Sequence, residues 1–371
     1  MKISLEHRFA QRRELLQKSC QKNIQYFQMG FPKIPPDLKV TAKVDSSICP
    51  IEKVGSTFWI RMLAVFEKDL AHKSRSNLTT QSATRRKLSP LQILSTRKYI
   101  FVRNPYTRLL SGYVDKFFAV NPAFWKIIGR EIVMSTRYRD MPNAVEQTCG
   151  DDVRFDEFVS YILDSDDRDL QIDGHFAPIH RHCGICEIQY DYIGKMETLL
   201  DDMVYFADDM GMLDLNGTKH TLLNEGVRWV NQMFFRNACS LFTHRRDAME
   251  SCGVTLNQGL HVTWKRWQIR GMISMEIPFP DEANDVEITC DKFVALATEA
   301  NARSNPDILS RGKDLALKEA YGSLSHEVKI KLRKYFEPEF VMFDYESNPD
   351  FVFGEYQNSE NIFSFFGNKY N

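Results

Sequence analysis

The chain contains 371 residues, of which 43% are hydrophobic, and its formal net charge is −1. A chain of this length and composition can bury a core without crosslinks, and its near-neutral charge argues against general attraction to polyanions such as nucleic acid. The printed sequence has no run of about eighteen apolar residues and therefore predicts no membrane-spanning helix. Neither internal repeats nor a low-complexity linker interrupts it, which indicates one principal domain.

The first predicted element is an amphipathic helix over residues 5–23, where apolar side chains recur at helical spacing. We expect its basic side chains to face water: Arg8, Arg12, Arg13 and Lys18. The first residues of the chain do not have the composition of a signal peptide.

A strand-to-helix junction follows. Residues 47–51 predict a short buried strand, and the apolar spacing over residues 57–69 predicts a helix. The residues between them suit an anion, because a glycine lets the backbone approach a ligand and the first amides of a helix are unpaired donors. Lys53 adds a positive charge, and the hydroxyls of Ser56 and Thr57 add donors. The alternative is a helix N-cap at Ser56 beside a solvated lysine. The pattern G-x-x-x-x-G-K-[ST] is absent, which argues against ATP or GTP hydrolysis.

A second strand-to-helix junction lies further along the chain. Residues 98–102 form a compact β-branched and aromatic run that predicts a buried strand, and Pro105 suits the first turn of the next helix. Arg103 and Ser111 could converge on one phosphate, because the arginine fork matches phosphate geometry. The alternative partner for Arg103 is a carboxylate such as Asp115. Two such junctions predict a nucleotide with phosphates at both ends of its ribose.

Four segments occur in order between residues 49 and 345: Lys53-Val-Gly-Ser-Thr-Phe-Trp59, Phe101-Val-Arg-Asn-Pro-Tyr-Thr-Arg-Leu-Leu-Ser111, residues 175–198 and residues 332–345. The third begins His175-Phe-Ala-Pro and contains Cys183-Gly-Ile-Cys186. Together they resemble the motifs of the Golgi carbohydrate sulfotransferases. The branch is the one that contains chondroitin and dermatan 4-O-sulfotransferases and the glucuronyl 3-O-sulfotransferase of the natural-killer carbohydrate epitope.

This resemblance implies an α/β fold with a mostly parallel central sheet flanked by helices, the P-loop-like arrangement of these enzymes. It also implies 3′-phosphoadenosine 5′-phosphosulfate (PAPS) as the sulfuryl donor. The residues that would bind the 5′-phosphosulfate are Lys53, Val54, Gly55, Ser56, Thr57 and Phe58, and those that would bind the 3′-phosphate are Arg103 and Ser111. Lys53 would stabilise the bridging oxygen as the bisphosphate departs, and no metal is expected. Glu52 departs from the family, which commonly has proline before the lysine, so its carboxylate must point away from the donor or be paired.

The reaction needs a general base to take the proton of the attacking sugar hydroxyl, and histidine is the usual residue near neutral pH. The resemblance indicates His175, which occupies the motif position H-[WF]-x-P. The alternative role for His175 is substrate binding or structural hydrogen bonding. Asp173 or Glu197 could orient this histidine or serve in its place, while His180 and His182 are weaker candidates.

The segment His180-Arg-His-Cys183-Gly-Ile-Cys186 brings two imidazoles and two thiols together in sequence. It could form a structural zinc site, but zinc modules usually space their ligand pairs further apart. Disulfides suit a secretory-pathway enzyme better, and the eight cysteines are an even number. Two N-glycosylation sequons, at Asn77 and Asn216, also indicate that pathway.

The resemblance implies three regions. These are a stem-proximal helix and linker (1–45), a catalytic domain (46–346) with a divergent, insert-like part (213–310), and a C-terminal tail (347–371). It also implies a type II membrane protein with its catalytic domain in the Golgi lumen, and we expect the anchor to lie outside the printed sequence. Association with the membrane is expected only through that anchor.

The expected acceptor is a hydroxyl of a glycosaminoglycan or glycoprotein glycan. The first choice is the 4-hydroxyl of N-acetylgalactosamine in chondroitin or dermatan. The alternatives are a glucuronyl 3-hydroxyl, or a non-catalytic glycan-binding protein on the same fold. The segment Trp264-Lys-Arg-Trp-Gln-Ile-Arg270 interleaves aromatic and basic side chains, which suits an acidic sugar chain. Its alternative is a half-buried helix whose basic side chains extend into water. No motif for nucleic-acid binding is present.

Overall fold

A computed structural model of the chain describes residues 2–22, 39–41, 46–56, 95–138, 148–168, 170–209, 226–355, 363–367 and 369–370. The chain divides into two compact units. The first unit comprises Met1–Arg108, Asp173–Val230 and Phe336–Ser347, and the second comprises Leu109–Ile172, Asn231–Tyr335 and Asn348–Asn371. The predicted division into residues 1–45, 46–346 and 347–371 stays a prediction.

The described strands form one sheet, which lies in the first unit and has the order β1-β2-β3-β4. Its strands are β1 (Lys39–Thr41), β2 (Ser46–Cys49), β3 (Arg97–Val102) and β4 (Tyr192–Lys195). β2, β3 and β4 are parallel, with Tyr99 opposite both Ile48 and Tyr192, and β1 pairs antiparallel with β2. Residues 98–102 of the central strand β3 are all buried, as expected for a strand covered on both faces. The mostly parallel sheet and both predicted strands are confirmed.

The described α-helices are, in chain order, α1 (Lys2–Lys22), α2 (Pro105–Tyr113), α3 (Pro122–Phe124), α4 (Arg130–Thr136), α5 (Phe155–Asp167), α6 (Leu199–Asp209), α7 (Gly226–Arg236), α8 (Arg246–Glu250), α9 (Leu256–Ile269), α10 (Cys290–Arg303), α11 (Pro306–Gly322), α12 (His326–Tyr335), α13 (Glu337–Phe343) and α14 (Asp350–Phe353). Two π-helical segments, Val114–Phe118 and Trp125–Gly129, follow α2 and α3. Short 3₁₀ segments span Ile179–Arg181, Met196–Thr198, Asn237–Phe242 and Asp281–Asn284. Within the described ranges, none of these helices is both long and apolar enough to cross a bilayer.

In the first unit, helices α1, α6 and α13 pack with the sheet around one apolar core. Phe9 of α1, Phe101 of β3 and Phe206 of α6 are all buried in it. The rings of Tyr99 and Tyr192, on neighbouring strands, stack with their centroids 4.9 Å apart. The sheet is therefore held by side-chain contacts across strands as well as by its backbone hydrogen bonds.

The basic side chains of α1 do not all face water, and that part of the prediction is wrong. The side chain of Arg12 is only 12% exposed. It donates to the carbonyl of Ile193 at 2.9 Å and to the carboxylate of Asp202 at 2.7 Å, while Arg13 donates to the carbonyl of Asp191 at 2.8 Å. Asp202 is fully buried and needs a cation, and helical spacing alone does not reveal a partner so distant in sequence.

The second unit is mainly helical and has buried aromatic side chains of its own. Trp125, Phe158, Trp267 and Tyr321 are all nearly inaccessible to solvent. The segment at residues 264–270 lies on α9 and at its end, and both of its tryptophans are buried. Its tryptophans are therefore not available to stack on a sugar, but its basic side chains do not all extend into water, because Arg266 and Arg270 lie against Asp115.

Candidate active site

The turn after β2 contains the first group of predicted donor-binding residues. Lys53 and Gly55 have positive φ angles of 67° and 79°, so the backbone reverses tightly here. A Cβ atom on Gly55 would lie 3.2 Å from the sulfur of Met196, so the position favours glycine for both space and conformation. Val54 is buried, which leaves only its backbone for a ligand, whereas Lys53, Gly55 and Ser56 are half-buried. Two predicted residues, Thr57 and Phe58, and the helix predicted over residues 57–69 lie outside the described residues.

The junction between β3 and α2 contains the second group. The side chain of Asn104 accepts from two amides in the first turn of α2, at 3.0 and 3.2 Å, and so caps the helix. Arg103 donates from Nε to the hydroxyl of Thr107 at 2.9 Å and from Nη1 to the carbonyl of Lys53 at 3.3 Å. The two predicted phosphate-binding corners are therefore in direct contact. Ser111 is half-buried further along α2, in the second unit, and its convergence with Arg103 stays a prediction.

Arg108, in the first half of α2, is a residue of this region whose role the sequence motif did not reveal. It is only 2% exposed. Its Nε donates to the carbonyl of Glu52 at 3.0 Å, its Nη1 to that of Ala177 at 2.6 Å and its Nη2 to that of Gly174 at 2.9 Å. One guanidinium thus contacts both the turn after β2 and the loop over residues 173–178. The arginine was visible in the motif, but backbone acceptors leave no signal in a sequence.

The predicted base, His175, lies in that loop and is paired with a carboxylate. Its Nδ1 lies 2.6 Å from Asp173 Oδ1, and its backbone amide donates to the same oxygen. Because a carboxylate accepts, Nδ1 carries a proton, and in the neutral ring the lone pair is then on Nε2. Glu197 is engaged elsewhere, since it accepts from the amide of Asn104 and from the hydroxyl of Tyr345. Of the two carboxylates considered, Asp173 is the one that orients the histidine.

Two weaker candidates for the base, His180 and His182, have surroundings that differ from those of His175. Burial, and then the positive charge of Arg108, lowers the pKa of His182 to about 4. Its Nε2 is buried and has no hydrogen-bond partner among the described residues. A Cβ atom on Gly174 would lie 3.3 Å both from the His182 ring and from the carboxylate of Glu52. The side chain of Glu52, where the family commonly has proline, therefore points toward the loop over residues 173–178. The other weaker candidate, His180, is buried.

The cysteines of the third motif form disulfides, as predicted. Cys183 pairs with Cys49, with a Cα–Cα distance of 6.1 Å, and Cys186 pairs with Cys20 at 5.6 Å. The zinc alternative for this segment is wrong, because both thiols are already bonded. Across the part of the chain that the structure describes, no cluster of three or more His, Cys, Asp or Glu side chains is placed to hold a metal ion.

The positions of the two corners define a class of protein. β2 and β3 are neighbouring parallel strands, and the Lys53 turn and the Arg103 junction follow their carboxyl ends. Ligands of open α/β sheets bind at this edge, and both corners carry cations and helix or turn amides that suit phosphate groups. The fold and the site are therefore those of an α/β protein in which the carboxyl edge of the parallel strands is suited to a phosphorylated ligand.

Comparison with known proteins gives the family. Residues 36–255, more than half of the chain, match the sequence model of the Sulfotransferase family, and the chain belongs to this family. No solved structure shows a significant match to the chain.

Several curated relatives are carbohydrate sulfotransferases. Carbohydrate sulfotransferase 9 of Homo sapiens is 32% identical over 213 residues, which cover 54% of this chain and 47% of that protein. Carbohydrate sulfotransferase 11 of Mus musculus is 31% identical over 218 residues, covering 54% and 61%. Carbohydrate sulfotransferase 14 of Danio rerio is 34% identical over 170 residues, covering 44% and 45%. The chain thus spans about half the length of the curated relatives it matches.

Proposed function

We propose that this chain transfers a sulfuryl group from PAPS to a hydroxyl of a glycan. The observation that carries the proposal is the hydrogen bond from Arg103 to the carbonyl of Lys53, which joins the two predicted phosphate corners. Membership of the Sulfotransferase family and similarity to carbohydrate sulfotransferases support it.

We assign the binding of the sulfuryl donor, PAPS, to the two phosphate corners. The Lys53 turn suits the phosphosulfate, because Gly55 leaves the backbone accessible and Ser56 adds a hydroxyl donor. Arg103 and Ser111 are assigned to the 3′-phosphate on the family resemblance. When bound, PAPS supplies the sulfuryl group and the adenosine bisphosphate leaving group. The ammonium of Lys53 neutralises the charge that grows on the bridging oxygen as the sulfur–oxygen bond breaks.

We assign the role of general base, which takes the proton of the acceptor hydroxyl, to His175. Its Nε2 accepts the proton of the acceptor hydroxyl while the hydroxyl oxygen forms the new bond to sulfur. Asp173 holds the imidazole in the tautomer with Nδ1 protonated and stabilises the imidazolium that results. These two residues and the Lys53 turn all belong to the first unit.

The acceptor is proposed to be an anionic glycan, with the 4-hydroxyl of N-acetylgalactosamine in chondroitin or dermatan as the first choice. In the second unit, Asp115 is contacted by Arg266 and lies 3.6 Å from Lys116 and 3.9 Å from Arg270. Burial, and then repulsion from Arg266, lowers the pKa of Arg245, which also interacts electrostatically with Asp115. This gathering of four cations, the Asp115 cluster, supports an acceptor that carries carboxylate or sulfate groups.

The donor assignment is tested by titrating adenosine 3′,5′-bisphosphate into the folded protein. We expect the wild type to bind, and the Lys53→Ala and Arg103→Ala variants to bind at least about tenfold more weakly, because each loses a charge-assisted contact. The control is Lys126→Ala, which removes a surface lysine that contacts Ser251 in the second unit. No binding by a folded wild type would overturn the sulfotransferase proposal.

The acceptor assignment is tested with radiolabelled PAPS and a panel of chondroitin, dermatan, glucuronyl-terminated and neutral glycans. We expect transfer to the 4-hydroxyl of chondroitin or dermatan. Transfer to a glucuronyl 3-hydroxyl would select the alternative acceptor. Glycan binding without transfer would select the non-catalytic alternative.

The compartment proposed for the catalytic domain is the lumen of the Golgi. The described disulfides use all eight cysteines, and such crosslinks persist in oxidising compartments. Peptide mapping of the cellular protein without reductant tests this, since recovery of free thiols at these positions would contradict a lumenal location. The sequons at Asn77 and Asn216 lie outside the described residues.

A further inference from the structure

The buried side chain of Arg108 connects two loops of the first unit. Its guanidinium donates to the carbonyl of Glu52 in one loop and to the carbonyls of Gly174 and Ala177 in the other. All three acceptors belong to the backbone. The arginine therefore fixes the orientation of peptide groups, and it does so in two segments that are far apart in sequence.

These peptide groups adjoin the residues proposed for the chemistry. The carbonyl of Glu52 belongs to the peptide bond before Lys53, and that of Gly174 belongs to the peptide bond before His175. Lys53 has a left-handed backbone conformation, which non-glycine residues keep only where the surrounding structure holds it. Arg103 holds the next carbonyl, that of Lys53 itself. Two successive carbonyls of the turn are thus fixed by arginines from the second motif.

The geometry requires an arginine in particular. A guanidinium presents five N–H donors in a rigid plane, so Arg108 can reach three carbonyls at once, whereas a lysine is a compact charge on a flexible stem. Arg108 is buried, so its donors are directed to these loops and not to a solvent-exposed ligand. Its charge reaches the same region, since it contributes to the lowered pKa of His182.

We propose that Arg108 is a positioning residue that holds the Lys53 turn and the His175 loop in one fixed arrangement. The leaving-group cation and the base then act on the same sulfuryl transfer. The catalytic part of this inference rests on the proposed function. Transfer reactions are sensitive to placement, and an error of about 1 Å can reduce the rate by about 100-fold.

The first experiment compares Arg108→Lys and Arg108→Ala with the wild type. We expect Arg108→Lys to lower kcat by about 100-fold while the KM for PAPS changes by less than about threefold. Added guanidinium, but not ammonium, should restore kcat of Arg108→Ala in a saturable way. The matched control is Arg137→Lys in the second unit, where the arginine contacts Glu157 and Asp152. It should lower the unfolding temperature and leave kcat unchanged.

The second experiment measures amide hydrogen exchange and does not depend on activity. In folded Arg108→Lys, we expect the amides of residues 53–56 and of residues 175–177 to exchange at least about tenfold faster than in the wild type. Arg103→Lys, which alters the contacts to the carbonyl of Lys53 and the hydroxyl of Thr107, should accelerate exchange in residues 53–56 and not in residues 175–177. Arg108→Gln replaces the lysine variant if thermal unfolding shows that the latter does not fold.

The outcomes separate this inference from the proposed function. A wild type that does not bind adenosine 3′,5′-bisphosphate overturns the function, and hydrogen exchange still decides whether Arg108 couples the two loops. A wild type that transfers sulfate while Arg108→Lys keeps its kcat overturns the positioning role. Faster exchange in one loop only, or in neither, overturns the coupling itself.

Discussion

Two arginines, one in each unit, use the same side chain in different ways. Arg108 donates to three backbone carbonyls in two loops of the first unit. Arg137 in the second unit contacts two carboxylates, those of Glu157 and Asp152. Hydrogen bonding to Glu157 is the main cause that raises the pKa of Arg137. The first arginine is bonded to neutral peptide groups, and the second is bonded mainly to opposite charges, with one further bond to the carbonyl of Asp152.

The difference predicts which property each residue controls. Carbonyl partners set the path of the backbone near Lys53 and His175, so changes at Arg108 should act on catalysis. The partners of Arg137 are the side chains of Glu157 and Asp152 and the carbonyl of Asp152, and Glu157, which is nearly fully buried, would lose a cation. Leaving a buried carboxylate without one of its partners costs stability. Substitution of Arg108 should therefore lower mainly activity, and substitution of Arg137 should lower mainly stability.

The largest expected effect is the loss of transfer on replacing Lys53. Lys53→Ala should lower kcat by about 10³-fold, because one preorganised charge at the leaving oxygen is removed. Its unfolding temperature should stay close to that of the wild type, since Lys53 is only half-buried in its turn. Steady-state transfer assays and thermal unfolding measure both. Arg137→Ala should give the reverse result, and a Lys53→Ala variant with normal kcat would remove the proposed role of this lysine.

Acid stability should reflect the lowered pKa of His182, which is caused first by burial and then by the positive charge of Arg108. The pKa of His182 is about 4 in the folded protein against 6.5 as the ordinary value, so between these pH values the unfolded chain binds a proton that the folded one does not. Stability should therefore be full above pH 6.5 and fall as the pH drops toward 4, by about 3 kcal/mol at most. Urea unfolding across this range measures it.

The control for acid stability is a pair of variants. His182→Gln removes the titrating ring and should flatten the decrease between pH 6.5 and 4. His7→Gln removes a ring that is exposed on α1 and should leave the decrease as it is in the wild type. Equal slopes in all three proteins would mean that His182 is not the group responsible.

One disulfide from each unit allows the stabilising effect of the same kind of bond to be compared between the two units. The Cys49–Cys183 bond closes a loop with a sequence separation of 134, whereas Cys239–Cys290 in the second unit closes one of 51. In a background where the overlapping Cys20–Cys186 and Cys149–Cys252 bonds are already replaced by serines, loop-closure entropy predicts that replacing the first pair destabilises the protein by about 1 kcal/mol more than replacing the second. Denaturant unfolding of the two double variants measures the difference. A larger loss from the second pair would show that native contacts, and not loop length, dominate.

Much of the first unit could be predicted because its signals are local. The apolar run of β3 predicts a buried strand, and Arg103 follows its last residue whichever strands pair with it. The pairing of His175 with Asp173 could also be foreseen, because the two residues lie two positions apart. Neighbouring residues in a sequence constrain each other, so their patterns predict both type of element and type of site.

Other features depend on contacts between distant segments and could not be predicted. Helical spacing places Arg12 on the polar face of its helix and predicts that it faces water. In the structure it pairs with Asp202, which is 190 positions away in the sequence. No motif predicts the role of Arg108, because its acceptors are peptide carbonyls, which every residue has. The sequence predicts disulfides for Cys183 and Cys186 but not their partners, which lie 134 and 166 positions away.

The smallest expected effect concerns the last motif, where Tyr345 makes two contacts that can be separated. Its hydroxyl donates to Glu197 at 2.9 Å, and its ring lies 4.4 Å from the ammonium of Lys195. Tyr345→Phe loses only the hydrogen bond and should cost about 0.5–1 kcal/mol of unfolding free energy, while Tyr345→Leu should cost about 0.5–1 kcal/mol more because the ring is also lost. Urea unfolding of both variants measures the two steps. Because Glu197 also accepts from the amide of Asn104 at the start of α2, a drop in adenosine bisphosphate affinity in Tyr345→Phe would show that this contact serves the donor site as well as stability.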